Sequence, residues 1–353
     1  MVTPRPPQVE VEPWPEAEAM FRRDPRWLGG DDAHSVHLGE GRHLWLFGDT
    51  FLRPAADGGR AGSSFVHNTV GIQRGARPDE AALTYHWREA DGGPAAVFED
   101  DEPGVYLWPG NGLRVGLRVV LFSMRVRSRV FTPRGEDDPR VENLHNFELL
   151  GWSARLLEGA DDDPAAWRTI PVRPPEHAGL VGIGGLLEVD DHVLAYCLST
   201  PWTTPPVRLL RWPVAQVAAG DLSSPAWWDG RGWSPRREHA VDTGLRPLTE
   251  FTVHRDEALG MYVSTQLRDY AAGRIEFRCA THPGGPWSAP TVVQVPQGAD
   301  PDAIAYAAKC HPHQVVEGGG VMLTYATNGT SLETVLERDD LYQPHVLRIR
   351  FRP

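Results

Sequence analysis

The sequence is short of cysteine, of lysine and of long apolar runs, and each shortage excludes a class of protein. Three cysteines among 353 residues, at Cys197, Cys279 and Cys310, give neither a disulfide framework nor the spacing of a zinc site. No apolar run approaches the ~20 residues of a membrane-spanning helix. The first residues lack the apolar core of a signal peptide, which favours a cytoplasmic protein. The net charge of −12 disfavours nucleic-acid and anionic-membrane partners.

Lysine is nearly absent, because 34 of the 35 basic residues are arginine and only Lys309 is lysine. Such a skew is typical of a GC-rich genome. Arginine can replace lysine at a surface, but not where a compact ammonium must fit a tight site or change its protonation state. Lys309 is therefore a candidate site residue, with chance retention as the alternative.

Five segments repeat one order of features: a polar or Gly-rich opening run, a tight turn, an apolar strand and then a further strand. The repeats recur every roughly 60–75 residues, with no amphipathic helix between them. The apolar strands are His43–Phe47, Val119–Met124, His192–Leu198, Met261–Thr265 and Val321–Tyr325. The strands that follow are Asn68–Gln73, Phe147–Leu157, Val207–Trp212, Arg274–Ala280 and His345–Phe351. This pattern predicts an all-β, five-bladed β-propeller spanning residues 1–353 as one domain; a two-sheet sandwich would not explain the repeats.

The fifth repeat ends after three strands, so its outer strand must come from elsewhere in the chain. Within the N-terminal extension of residues 1–25, Val9–Val11 is expected to supply that strand and close the ring. Helical pattern is limited to residues 15–22 and 331–340.

In a propeller the first strand of each blade lines the central axis, so polar residues in the opening runs are the candidate site residues. They are Asp31, Asp32 and His34 in blade 1, Trp108 and Asn111 in blade 2, Glu250 in blade 4, and Lys309, His311 and His313 in blade 5. Carboxyl, imidazole and ammonium groups thus converge on one predicted axis, where a packing role would call for apolar or small residues.

Glycosidic cleavage needs two facing carboxyl groups, one as acid and the other as base or nucleophile. Asp31 or Asp32 would be the base or nucleophile. Glu250 would be the acid, because partial burial in an apolar strand raises a carboxyl pKa. The alternatives are a solvated turn for the two aspartates and a structural ion pair with an arginine for Glu250.

Further polar and aromatic residues are candidates for the pocket wall. Asp49 and Asn68 bind either substrate or the backbone of turns, and His311 and His313, two apart on one strand, are expected to face the same way. His145, Asn146, Trp108 and Trp202 are candidate sugar contacts, although with 13 tryptophans any one is also a core candidate.

Five segments in the first and last repeats resemble a known family. Gly30-Asp-Asp, Leu44–Phe51 and Asn68–Gln73 resemble the first blade, and Tyr306–Pro312 and Tyr325–Asn328 the last blade, of a bacterial propeller family called domain of unknown function 4185. Some of its members are endo-D-arabinanases, and its fold is related to the arabinanase–xylosidase furanosidase superfamily.

The resemblance implies a glycoside hydrolase acting on a furanoside or other oligosaccharide. It implies a catalytic Asp at Asp31 or Asp32, an acid at Glu250, and His311 near an axial divalent cation such as calcium. The relatives' blade-3 Asp has no counterpart in residues 180–186, which leaves Asp49 as the candidate for its tuning role.

Two other functions remain open. A glycoside phosphorylase or a lyase/cyclase would use the Lys309 and His311 cluster, with the arginines of 125–129 helping to bind phosphate. A non-catalytic propeller would bind a carbohydrate or other small molecule without changing it.

Overall fold

The computed structural model describes residues 3–53, 59–128, 147–159, 163–173, 180–198, 206–248 and 250–352. Antiparallel strands dominate these ranges, so the all-β prediction is confirmed. In chain order the strands are β1 (Gln8–Pro13), β2 (Trp27–Gly30), β3 (His34–Gly39), β4 (Arg42–Phe47), β5 (Thr50–Leu52), β6 (Ser64–Val66), β7 (Thr69–Arg74), β8 (Ala82–His86), β9 (Arg88–Ala90), β10 (Gly93–Ala95), β11 (Val105–Val115), β12 (Arg118–Ser128), β13 (Phe147–Glu158), β14 (Arg168–Pro171), β15 (Leu180–Val189), β16 (His192–Leu198), β17 (Val207–Pro213), β18 (Ala226–Trp228), β19 (Trp233–Ser234), β20 (Phe251–Asp256), β21 (Met261–Asp269), β22 (Arg274–Ala280), β23 (Thr291–Gln294), β24 (Ala303–His311), β25 (Val321–Gly329) and β26 (Pro344–Arg352).

Within the described ranges these strands form five sheets of four or five strands and two smaller sheets. The large sheets have the orders β3-β4-β7-β8, β11-β12-β13-β14, β15-β16-β17-β18-β19, β20-β21-β22-β23 and β1-β26-β25-β24. The small ones are β2-β5-β6 and β9-β10. In four of the large sheets the strands follow chain order, as expected for repeats that each form one antiparallel unit.

The first strands of the large sheets contact one another in the series β3, β11, β15, β20 and β24. A hydrogen bond between Ser35 Oγ and His311 Nδ1 (2.7 Å) connects β24 back to β3. Glycines permit this close approach: a Cβ on Gly185 would lie 2.6 Å from the backbone nitrogen of Val253. The first strands therefore surround a common axis, and the apolar core lies between adjacent sheets.

The last sheet is completed from the N-terminus. β1 pairs antiparallel with β26, with Val9 opposite Phe351 and Val11 opposite Ile349, so residues 9–11 form the outer strand of this sheet. The Arg352 guanidinium also pairs with the Glu10 carboxylate at 2.6 Å.

Short helices lie in the connections: α1 (Pro15–Glu18), α2 (Val214–Ala218) and α3 (Leu332–Glu337), with 3₁₀ turns at Ala19–Arg22, Arg60–Gly62, Pro164–Ala166, Arg237–His239 and Pro296–Ala299. The pattern at residues 15–22 correctly predicted α1 and its 3₁₀ continuation. α3 begins after Ser331, whose side chain accepts a hydrogen bond from the backbone N–H of Thr334 and caps the helix. α2 was not predicted. None of the described helices is long and apolar enough to cross a membrane.

The opening run of the first repeat is not one strand. It divides into β2 and β3 because Asp32 and Ala33 adopt left-handed φ values of 67° and 54°, which ends a strand. β2 then pairs with β5 instead of joining the large sheet. The turn between β2 and β3 carries Asp31 and Asp32.

Candidate active site

Asp31, Asp32 and Glu250 lie at the near end of the axis, which we define as the end where the first strands begin. Asp31 and Asp32 precede β3, and Glu250 immediately precedes β20. Asp32 and Glu250 are buried, and Asp31 is half-buried. The structure therefore places all three predicted carboxyl groups at the same end of the axis.

Gly48 leaves the space that the two aspartates occupy. A Cβ at this position would lie 2.5 Å from Asp31 Oδ1 and 3.0 Å from Asp32 Oδ2. Because real Cβ atoms do not approach oxygen so closely, any larger residue would displace a carboxyl group. The glycine of Phe47-Gly48-Asp49 thus belongs to the site as a spacer.

Two tyrosines hold the Asp31 carboxyl. The Tyr306 hydroxyl donates to Asp31 Oδ2 at 2.9 Å, and the Tyr342 hydroxyl donates to the same oxygen at 3.3 Å. Tyr342 itself has a left-handed φ of 57°. Its loop is fixed by Arg60, whose buried guanidinium donates to the carbonyl oxygens of Leu28 and Leu341.

Lys309 is fully buried beside the carboxyl groups. Its Nζ lies 3.8 Å from Asp32 Oδ1, an ion-pair distance that is too long for a hydrogen bond. Among the described residues neither Lys309 Nζ nor Glu250 Oε2 has a hydrogen-bond partner. Buried polar atoms without a protein partner require water or a ligand, so these two atoms indicate a place where a ligand or water binds.

Burial and the repulsion between neighbouring carboxylates shift the pKa values of Asp31 and Asp32. Burial raises the pKa of Asp31 to about 8, with the Asp49 and Glu250 charges adding to the effect and the Tyr306 hydrogen bond and Lys309 opposing it. Burial and the Glu250 charge likewise raise the pKa of Asp32 well above its ordinary value, against the attraction of Lys309. Burial lowers the pKa of Lys309 in spite of these carboxylates. Burial therefore favours the protonated form of both aspartates.

Asp49 joins this cluster to an aromatic wall. Its Oδ1 accepts a hydrogen bond from Trp108 Nε1 at 2.9 Å and lies 2.9 Å from His67 Nδ1. Trp108 is half-buried, and its ring contacts those of Tyr106 and Phe147. Asp49 thus orients two side chains at the near end while its charge acts on Asp31.

His311 does not fit the predicted role as a metal ligand. Its Nε2 lies 2.7 Å from Thr324 Oγ1 and its Nδ1 2.7 Å from Ser35 Oγ, so both ring nitrogens already have partners. Burial lowers the pKa of His311 well below its ordinary value. Among the described residues no group of three or more His, Cys, Asp or Glu is placed to hold a metal ion. The described residues around His311 therefore offer no donor set that fits a calcium ion.

The axis contains a cavity of about 1600 Å³ towards the far end, where the first strands finish. Lys309, His34 and Asn111 lie on its wall, with His311 and His313. The amide of Asn111 donates to the carbonyl oxygen of Gly184 at 2.5 Å and its side chain also bonds His34. Asp31, Asp32 and Glu250 are not on this wall, so Lys309 lies between them and the cavity.

His313 does not share a strand with His311. β24 ends at His311, and His313 lies beyond it, exposed and stacked on His37 at a centroid distance of 5.2 Å. The expectation that the two histidines share a strand is therefore wrong, although both lie on the wall of the same cavity.

Asn68 has a structural role in place of the predicted binding role. It is fully buried, its amide donates to the carbonyl oxygens of Phe98 and Leu107, and its Oδ1 accepts from the Phe98 N–H. These three bonds use its hydrogen-bonding capacity to connect β7 to the second sheet.

Three predicted residues, His145, Asn146 and Trp202, lie outside the described residues. Arg125, expected near a phosphate, pairs instead with the Asp100 carboxylate at 2.7 Å and with Glu102. Because the Arg125 charge is paired with these two carboxylates, Arg125 does not contribute to the Lys309 cluster.

The sequence reasoning missed Gly48, His67, Tyr306 and Tyr342 as site residues. Tyr306 opens the same run as Lys309, so its position on a first strand was a usable signal. His67 and Tyr342 come from outside the opening runs, and only the folded chain brings them to the aspartates.

The fold and the cluster define the class: an all-β protein with a desolvated carboxyl–lysine site at one end of its axis. The family model for the domain of unknown function DUF4185 matches residues 27–336. The chain belongs to this family, as its first and last repeats predicted. No curated protein is detectably similar in sequence.

Several solved structures are similar in fold. A protein from Bacteroides ovatus ATCC 8483, whose hydrolase assignment is provisional, has a TM-score of 0.74 at 15% identity, covering 97% of this chain and 90% of that one. A protein of unknown function from Dyadobacter fermentans DSM 18053 has a TM-score of 0.50 at 10% identity, covering 93% and 96%. A GH43 β-xylosidase/α-arabinofuranosidase from a compost microbial metagenome, in complex with xylotriose, has a TM-score of 0.49 at 11% identity, covering 98% and 94%. At 15% identity, the similarity to the Bacteroides ovatus protein shows a shared fold. The TM-score of 0.49 for the compost enzyme is too low to support an inference about this chain.

Proposed function

We propose that this chain is a glycoside hydrolase, built as one five-bladed β-propeller, that cleaves a furanoside or other oligosaccharide at the near end of the axis. The observation that carries this proposal is the convergence of Asp31, Asp32 and Glu250 in one desolvated space beside Lys309. Glycosidic cleavage needs one carboxyl group that holds a proton and one that is ionised.

The raised pKa of Asp31 supports a division of roles between Asp31 and Glu250. Asp31, with its pKa raised to about 8, carries a proton at neutral pH and is the member that can protonate the leaving oxygen. Glu250, with Oε2 unpartnered among the described residues, is then the base or nucleophile. This assignment exchanges the two roles that the family resemblance implies.

The remaining residues position this pair. Tyr306 and Tyr342 fix Asp31 Oδ2, which leaves Oδ1 to carry the proton. The Lys309 charge next to Asp32 offsets part of the negative charge that three close carboxyl groups would build up. Asp49 holds Trp108 and His67 beside the site.

The test is reducing-sugar release from arabinans, xylo-oligosaccharides and aryl furanosides, with and without phosphate, by wild type, Asp31→Asn and Glu250→Gln. We expect both variants to lose polysaccharide hydrolysis. Asp31→Asn should retain cleavage of an aryl furanoside with an activated phenol, because such a leaving group needs no acid. Glu250→Gln should lose both activities.

The outcomes separate the alternatives. Retention of aryl furanoside cleavage by Glu250→Gln instead would restore the roles implied by the resemblance. A phosphate requirement would indicate a phosphorylase. No release from any substrate by folded wild type would contradict a hydrolase and leave a binding propeller.

A further inference from the structure

Phe65 is the aromatic residue among the large hydrophobic side chains that the described part of the chain exposes. It lies on β6, and 48% of its surface is accessible. Its ring packs edge-on against Phe51 at a centroid distance of 5.0 Å, so its position is fixed although much of it faces solvent. A fixed, exposed aromatic ring costs little entropy to use as a binding contact.

The exposed ring is the outer member of a continuous series that leads to the carboxyl cluster. The ring centroids of Phe65 and His67 are 5.9 Å apart, those of His67 and Tyr106 are 3.7 Å apart in a stack, and those of Tyr106 and Trp108 are 5.8 Å apart. We call Phe65, His67, Tyr106 and Trp108 the aromatic shelf.

The inner part of the shelf is held by the site itself. His67 and Trp108 both contact Oδ1 of Asp49 at 2.9 Å, and the Asp49 charge raises the pKa of Asp31. His67 and Asp49 retain 35% and 18% side-chain exposure. The shelf therefore combines apolar ring surface with polar atoms and begins at Asp49, whose charge acts on the proposed acid Asp31.

We propose that the aromatic shelf is a carbohydrate subsite, which binds additional sugar units of an oligosaccharide whose scissile bond lies at Asp31. This inference rests on the proposed function only for the location of cleavage. Sugar rings have apolar C–H faces that pack on aromatic rings and hydroxyl groups that bond to imidazole, indole and carboxylate groups. The neighbouring carboxyl cluster disfavours an anionic ligand, which selects a neutral saccharide.

The shelf predicts a dependence on chain length. A monosaccharide at Asp31 would not extend to Phe65, because two further rings, His67 and Tyr106, intervene between Phe65 and Trp108. Longer oligosaccharides should gain affinity by reaching the outer end of the shelf.

The experiment is calorimetric titration of the full chain with arabino- and xylo-oligosaccharides of two to six units. It compares the Glu250→Gln protein with the same protein also carrying Phe65→Ala or Val292→Ala. Val292 is a matched control, because it is 50% exposed and lies on β23 of a different sheet. We expect Phe65→Ala to weaken binding of the longer chains about fivefold or more, the size typical of one aromatic contact, and Val292→Ala to leave it unchanged.

Equal affinities of Phe65→Ala and its parent for every chain length would overturn the subsite, as would no binding of any oligosaccharide by the parent. Length-dependent binding that Phe65→Ala weakens, in a wild type that releases no sugar, would leave the subsite standing and contradict the hydrolase. Hydrolysis together with binding that does not depend on chain length would support the hydrolase and contradict the subsite.

Discussion

The two ends of the axis carry different kinds of polar residue. At the near end, Asp31 and Asp32 lie in a turn with left-handed backbone, and Lys309 Nζ and Glu250 Oε2 lack partners among the described residues. At the far end, histidines lie on or beside regular strands, and some contact hydroxyl groups or one another, as in the stacked pair of His37 and His313. Both ring nitrogens of His254 also lack hydrogen-bond partners among the described residues.

This difference distinguishes the near-end residues, for which we propose a catalytic role, from far-end residues that stabilise the fold. A strained turn that brings carboxyl groups together beside a buried ammonium is costly, and such an arrangement persists where a function requires it. A histidine can be buried in its neutral form, which costs less than burying a charged group. His311, bonded at both ring nitrogens, belongs to the supporting group in spite of its place on the axis. The abundance of histidine in the opening runs was therefore a weaker functional signal than the carboxyl groups.

The largest expected effect separates the two ends by activity. Glu250→Gln should reduce kcat by about 10²–10⁴-fold, the usual contribution of a general acid or base. His254→Gln at the far end should change kcat by less than about tenfold, because His254 follows Glu250 by four residues along β20 and lies on the cavity wall rather than in the carboxyl cluster. Steady-state kinetics on the best substrate of the panel measure both. Comparable losses from the two variants would erase the distinction.

A smaller effect is expected from the spacer glycine. Gly48→Ala should reduce kcat by about tenfold or more, because its methyl group would displace the Asp31 carboxyl and misplaced catalytic groups lose rate steeply. Gly232→Ala is the matched control, since nothing lies within 4 Å of a Cβ at that position. Full activity of Gly48→Ala with an unchanged melting temperature would show that the aspartates do not need this space.

The two ends should also differ in the sign of their effect on stability against pH. Burial lowers the pKa of His254 to about 4 in the folded protein, so the unfolded chain binds the proton first as pH falls. Stability should drop by about 2 kcal/mol from pH 7 to pH 5 through this group, and His254→Gln should remove that slope. Burial raises the pKa of Asp31, so the folded protein binds its proton more tightly and stability falls as pH rises from about 4 to 8.

Denaturant unfolding from pH 4 to pH 8 measures these slopes. Asp31→Asn should reduce the fall in stability towards pH 8, and Asp32, whose pKa is also raised, should account for a remaining part. His254→Gln should likewise reduce the acid slope and leave the part due to His311, whose pKa is also lowered. An acid slope that is unchanged by His254→Gln, or an alkaline slope that is unchanged by Asp31→Asn, would assign the titrations to other groups.

Much of the fold was predictable from the sequence, because strands in repeats obey local rules. β16 and β22 have the predicted bounds, and β1 supplies the outer strand of the last sheet. The break between β2 and β3 was not predictable, since Asp32 and Ala33 carry no glycine signal for their left-handed backbone. α2 was missed because five residues are too few to show helical periodicity.

The site was predictable where its residues lie in opening runs. Asp31, Asp32, Glu250 and Lys309 were found because a repeat places its first strand at the axis. The choice between substrate and backbone for Asn68 could not be made from the sequence, because its partners, the backbone of Phe98 and Leu107, are a contact of the folded chain. His67 and Tyr342 escaped notice for the same reason: no local pattern connects them to an aspartate far away in the chain.

The central claim is that the carboxyl groups share one desolvated space with the sole lysine. Because Lys309 is the only lysine, protein labelled with ¹³C- and ¹⁵N-lysine gives a single side-chain ammonium signal. Its titration should have a midpoint below the ordinary value of 10.5, and Asp32→Asn should lower it further by removing the nearest negative charge. A midpoint at or above 10.5 that is insensitive to Asp32→Asn would contradict the account.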